Sequence, residues 1–206
     1  MLTYDEIKAT ALDYADRADD TDVVNRLDAF LRVVEARVNR VLQTGRQSKR
    51  SHIYTNSGHS FYALPDDFAG MRSIVLKTTT SDNSGIILDY VVPEVMNTHI
   101  NQNRSNGVYT IIGCSLQVWP VTDNYVLEIV YYQQLVPLSS TVPENWLTRM
   151  SPDAYIQGLL VEINSFVRDQ EAALLWDGRF KQTLVDMQYE DDIDRWSGPA
   201  PAVRLM

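Results

Sequence analysis

The sequence predicts an α+β fold: a bundle of about four helices, an inserted antiparallel β-rich domain, and an extended C-terminal arm. Three observations carry this. Residues 1–45 and 146–196 place apolar side chains at helical spacing. Residues 51–136 change to period two and are rich in β-branched and aromatic residues. The end, residues 197–206, has too much Pro, Gly and Ala for a helix or central strand, and is too apolar for a simply solvated terminus. The expected domains are 1–45 with 146–196, the insertion 46–145, and the arm 197–206.

The elements follow in order. Thr3-Tyr4-Asp5-Glu6 fits a capping box, and Ile7, Ala11, Tyr14, Ala15 and Ala18 continue it, so a helix is predicted over 4–18. Asp19-Asp20-Thr21-Asp22 breaks that helix and offers a cap to the next. Over 23–43, Leu27, Leu31, Val34, Val38 and Val41 form a heptad-like seam, widened by Phe30 and Leu42 and stopped at Thr44-Gly45. Strands are predicted near 51–55, 60–63, 71–77, 86–92, 108–112, 114–119 and 125–134, with a short helix over 93–100. In the last strand Tyr125, Leu127, Ile129 and Tyr131 share a face. Residues 137–150 read as a linking loop. Ser151-Pro152-Asp153 starts a helix with Tyr155, Leu159, Leu160, Ile163, Phe166 and Val167 on one side. After a break near 168–170, Ala172, Trp176, Phe180, Leu184 and Met187 line another. The simplest packing closes the first and last helix pairs on each other.

Charge narrows the function classes. Acidic residues outnumber basic ones, 27 to 18, in a chain of 206 residues. The excess sits at 1–36 and 144–194, while 37–143 is nearly neutral. Such a chain is a poor sequence-independent binder of nucleic acid, which needs clustered Lys and Arg. Cys114 is the sole cysteine, so no disulfide forms within the chain, in keeping with a reducing compartment. The first residues show no secretion signal. The longest uncharged window, 105–122, is broken by Asn, Gly, Ser, Gln and Pro and does not read as a membrane span.

Catalytic patterns are missing: the sequence has no G-x-S-x-G, Walker A, H-E-x-x-H or C-x-x-C motif. His52 and His59 read as exposed loop histidines and His99 has no ligand-like partner, so neither metal nor cofactor is expected. Cys114 reads as a half-buried apolar residue at a strand start, not a nucleophile. Asp19-Asp20-Asp22 lacks the Gly and distal Glu of a calcium loop and suits helix capping. In the acidic run 190–194, Asp191 and Asp192 read either as a solvated helix end or as a rim that repels DNA phosphates. Arg37, Arg40, Arg46, Lys49 and Arg50 form the basic cluster, which either complements a helix C-terminus or docks an acidic partner or DNA. The end of the chain, with Arg195, Trp196, Pro199, Pro201, Val203, Arg204, Leu205 and Met206, is either a disordered terminus or a docking arm.

Three features together resemble one family. The N-terminal helices are acidic and contain Tyr. Leu64-Pro65-Asp66-Asp67-Phe68 precedes the strand that holds Met71-Arg72-Ser73-Ile74. A helix with Trp176-Asp177-x-Arg179-Phe180 is followed by Asp194-Arg195-Trp196-Ser197-Gly198. The chain resembles the head-to-tail adaptor (connector) proteins of tailed bacteriophages, particularly the short-tailed kind. The resemblance implies a structural virion protein and not an enzyme. Such adaptors form a ring, usually twelvefold, beneath the portal protein, extend the DNA channel and present a platform to the tail nozzle or other tail proteins. DNA passes through the lumen without specific binding, no membrane is involved, and the protein is made in the host cytoplasm. Their C-terminal arms contact the portal, which corresponds here to residues 195–206. The seam of 23–43 and the β block would then supply contacts between copies. Two alternatives stand beside this: a small phage-associated hydrolase with an Asp/Glu pair roughly 5–9.5 Å apart, or another tail ring such as a terminator.

Overall fold

The computed structural model describes residues 2–56, 58–82, 84–120 and 124–196. The fold is α+β. In chain order the first elements are α1 (Tyr4–Ala15), α2 (Thr21–Val24), α3 (Leu27–Val41), β1 (Ser48–Tyr54), β2 (Phe61–Ala63) and β3 (Phe68–Lys77). Next come β4 (Ile86–Ile87), β5 (Asp89–Tyr90), α4 (Pro93–Asn101), β6 (Val108–Ile112), β7 (Ser115–Trp119) and β8 (Val126–Gln133). The chain continues through α5 (Trp146–Met150), α6 (Pro152–Phe166) and α7 (Gln170–Trp196). Contacts divide it into two compact units, Met1–Arg46 with Leu135–Met206, and Gln47–Gln134.

The helical unit begins with the capping box: the Thr3 amide donates to Glu6 at 2.8 Å and the Glu6 amide to the Thr3 hydroxyl at 3.4 Å. α1 stops at Ala15, short of the expected 18, because Asp16 takes a left-handed conformation with φ 52°. Asp20 caps the separate turn α2, so the main helix starts at Leu27. Ile7 and Ala11 of α1, the α3 seam, Tyr155, Leu159 and Ile163 of α6, and Phe180 and Leu184 of α7 fill one core. The α3 seam is therefore spent inside the chain, which corrects the expectation that it joins copies. Only Val41 of that seam is exposed.

Residues 135–145, expected in the β-rich insertion, belong to the helical unit. Leu135 and Leu138 are buried in its core. Their amides donate to Asn39 Oδ1 at 2.7 Å and Glu35 Oε1 at 2.6 Å, both on α3. The loop ends early as well. Asn145 Oδ1 accepts from the Leu147 and Thr148 amides at 3.0 and 3.1 Å, and Thr148 completes a capping box, so 146–150 is helix.

The β unit holds two four-stranded sheets, ordered β1-β8-β3-β4 and β2-β7-β6-β5. Every pairing is antiparallel except β5 with β6. Ile74, Leu76, Leu127, Ile129 and Tyr131 of the first sheet meet Leu116 and Val118 of the second, with Leu64 and Leu88. The stretch expected as one strand over 86–92 is two short ones. Leu88 is buried between them, its amide bonds Ile74 O, and the next amide, of Asp89, bonds Gly107 O. The chain thus passes from one sheet to the other. Gly107 permits this crossing, since a Cβ there would lie 2.5 Å from Leu88 Cδ2.

Candidate docking surfaces

The two phrases that carry the resemblance are fasteners of the fold. In the first, the Phe68 amide donates to Pro65 O at 3.0 Å and closes a turn. The Asp67 carboxylate accepts from Tyr131 Oη and Lys49 Nζ, each at 2.7 Å, and its carbonyl from the Gln134 amide. Burial raises the Asp67 pKa, but the bonds from Lys49 and Tyr131 outweigh it and hold the group below the usual carboxylate range. The phrase pins the start of β3 to β8 and β1. In the second, Asp177 pairs with Arg37 of α3 and with Lys181 at 2.6 Å. Arg37 also reaches Glu162 of α6 at 3.5 Å and lies 5.0 Å from the Phe180 ring centre. Arg179 stacks on Trp176 at 4.7 Å. Burial raises the Asp177 pKa, but the bonds from Lys181 and Arg37 outweigh it and hold the group below the usual carboxylate range.

The basic cluster is divided. Arg37 is committed to α6 and α7, and Arg40 is exposed with Nε on Ala36 O at 3.2 Å. Arg46 lines a cavity of about 230 Å³ with Trp146, Asp153, Asp186, Glu190 and Asp191. Lys49 and Arg50 belong to the other unit, where Lys49 pairs with Asp67 and Arg50 stands 3.9 Å from Glu128. His52, a residue of β1 and not of a loop, also faces Glu128, at 3.4 Å. Cys114 is exposed in the turn between β6 and β7, not half-buried in a strand, because Gly113 takes φ 61° and turns the chain.

The two acids of the expected rim differ. Asp191 is half-buried and accepts from the Gly45 amide at 2.6 Å, beside Gln188, whose Nε2 bonds Val41 O at 2.8 Å. The last turns of α7 thereby hold the end of α3. Asp192 is exposed. Two of the other cavity carboxylates have structural bonds too: Asp153 accepts from Ser151 Oγ and Asp186 from Gln182 Nε2, each at 2.7 Å. Arg195 and Trp196, grouped with the arm, are the last residues of α7. Pro199, Pro201, Val203, Arg204, Leu205 and Met206 lie outside the described residues.

Two features escaped the sequence reading. One is a second apolar stripe on α7: Leu174, Val185 and Tyr189 stand exposed on the side away from Phe180 and Leu184, and Leu174 is 73% exposed. The spacing Leu174, Gly178, Val185, Tyr189 was the available signal, because a helix apolar on two sides has two surfaces to cover. The other is a buried polar hub. Glu35 accepts from the Leu138 amide, from Arg32 Nη1 at 3.0 Å and from Tyr155 Oη at 3.5 Å. Asn145 Nδ2 donates to that same Tyr155 oxygen at 2.7 Å and to Val136 O at 2.9 Å. Burial raises the pKa of Glu35 against the lowering effect of the Leu138 amide and Arg32, and burial drives Tyr155 far above the usual phenol range. A carboxylate beside Val34 inside an apolar seam was the clue.

Among the described residues no group of three His, Cys, Asp or Glu could hold a metal, and no helix is long and apolar enough to cross a membrane. The motifs fasten the fold, and the exposed apolar faces beside them are of the kind that suits contact with other macromolecules. Residues 2–204 match the family model of the SU10 adaptor protein, and the chain belongs to that family. No curated protein matches it.

Proposed function

We propose that the protein is a structural component of a tailed-bacteriophage virion: an adaptor ring between portal and tail that extends the DNA channel and carries the tail. The observation that supports this reading is the match to an adaptor family over residues 2–204, nearly the whole chain. In this reading the helices form a four-helix bundle that fixes the subunit in a twelvefold ring. The segment from Arg195 to Met206, with Trp196 as its aromatic anchor, binds the portal. It suits that role because α7 delivers it from the end that Asp191 and Gln188 tie to α3. Acids such as Asp192 would face the lumen and keep DNA from adhering. Arg40 and Arg46 would meet acidic partner surfaces.

The test mixes the protein with portal rings and counts bound copies by electron microscopy. Deleting residues 197–206 is expected to abolish portal binding and to leave helical circular dichroism unchanged. Binding retained by the deletion variant refutes the arm, and the absence of any ring with the full chain refutes the adaptor placement.

A further inference from the structure

The β unit has two edges of opposite character. The strand orders place β1 and β4 at the ends of one sheet, and β2 and β5 at the ends of the other. β1 and β2 are linked by a short connection, as are β4 and β5, so each pair marks one edge of the unit. Within the described residues, the outer sides of all four strands pair with no further strand. Such edges offer rows of backbone donors and acceptors to another chain. Their side chains differ. At the β1–β2 edge stand the exposed cation Arg50 and the aromatics Tyr54 (67% exposed) and Phe61. At the β4–β5 edge stand exposed Ile86 and Ile87 (71%), the exposed acid Asp89 and Tyr90, and the exposed acid Glu94 follows in the first turn of α4.

Among the described residues no further strand pairs with this edge, and natural sheets avoid leaving exposed isoleucines on an open edge. The opposite edge of the same unit supplies what would cover it: open backbone, aromatic area and positive charge. We infer that the β1–β2 edge of one copy docks against the β4–β5 edge of the next, joining the β units of neighbouring copies by strand addition. Two different patches on opposite edges make the contact heterologous, and a heterologous contact closes into a ring when its rotation permits. The occupant of each edge is a second copy of this chain. The inference rests on the proposed ring and names the surface that closes it.

The experiment uses two full-length variants. Tyr54→Asp/Phe61→Asp places acid on the basic edge, where it repels the acidic one. Ile86→Lys/Ile87→Lys places cations on the acidic edge. Thermal melts check that both fold. Self-association is measured by mass photometry, alone and with portal rings added. Each variant by itself is expected to associate at least tenfold more weakly than the unaltered chain. Mixing the two is expected to give one-to-one pairs, because each retains the edge that the other has lost and one intact junction forms per pair. A variant that assembles normally by itself, or a mixture as monomeric as its components, overturns the inference. If variants that no longer associate still bind portal as single copies, the edges are required for the ring and not for portal contact. If the unaltered chain forms no ring with or without portal, the ring reading itself fails.

Discussion

Two glycines of the helical unit should respond in opposite directions to the same substitution. Gly158 lies in α6 and is buried against α3. A Cβ there would stand 2.6 Å from Val34 Cγ1, 3.0 Å from Val34 Cγ2 and 3.4 Å from Phe180 Cε2. Carbon atoms in contact prefer about 3.5–4.0 Å, so the closest approach is short by about 1 Å. Val34 is fully buried and β-branched, and a helical valine has essentially one rotamer, so it has nowhere to turn. Gly158→Ala gains about 1 kcal/mol of helix propensity. It loses about 1–3 kcal/mol to overpacking, and the fixed neighbour places it in the upper half of that range. The net expectation is a destabilisation of about 1–2 kcal/mol. Gly178 of α7 is the internal control. It is exposed and a Cβ there meets nothing within 4 Å, so Gly178→Ala keeps most of the gain of about 1 kcal/mol. Urea titration followed by helical ellipticity reads both variants, and the midpoints should move in opposite directions. Val34→Ala removes the obstructing methyls at a cost of about 2 kcal/mol. Combined with Gly158→Ala it should show a favourable coupling of about 1 kcal/mol or more. A stabilising Gly158→Ala, or strict additivity with Val34→Ala, refutes the close α3–α6 contact.

Two further predictions concern the polar hub. Glu35 has a folded pKa raised above its ordinary 4.5, so its ionisation opposes folding. The stability this group confers is complete below pH 4.5 and is lost as pH rises through the raised folded value. Glu35→Gln, which does not ionise, should lose that decline, so that the stability of the parent falls relative to the variant with rising pH in urea titrations; parallel curves would contradict it. Asn145→Ala strips the cap from α5 and leaves the buried Tyr155 hydroxyl and Val136 carbonyl short of a donor. A loss of about 2–3 kcal/mol is expected from the sum of cap and unsatisfied groups, and one below about 0.5 kcal/mol would show that the hub does not hold the linker.

The parts of the fold legible in the sequence are those set by one segment's own pattern. The α3 seam, the strand over 108–112 and the apolar sides of α6 and α7 were visible because burial on one side imposes a period on the residues themselves. What escaped depends on a distant partner. Residues 135–145 have no period, and their place in the helical unit rests on Asn39 and Glu35 about a hundred positions earlier. The passage from β4 to β5 rests on Gly107 lying under Leu88. The α3 seam was also misassigned for a physical reason: a heptad pattern reports that a helix is covered, not which chain covers it.

That distinction bears on the docking surfaces. The phrases that carry the resemblance, around Asp67 and Asp177, are engaged within the chain by Tyr131, Lys49, Arg37 and Lys181. Removing one of them would leave a charge or hydroxyl without its partner. They maintain a scaffold and need not touch what the scaffold holds. Surfaces that contact a partner carry the reverse signature, apolar area with no covering residue in its own chain. The α7 stripe of Leu174, Val185 and Tyr189 and the edge at Ile86 and Ile87 have it. Of the two, the edge at Ile86 and Ile87 comes with a complementary surface on the same unit. Among the described residues the α7 stripe has no such complement, so in the proposed ring substituting Leu174 and Val185 by Glu should leave contacts between copies intact while weakening attachment to portal or tail. Loss of ring formation in that variant, measured by mass photometry, would instead assign the stripe to the contact between copies.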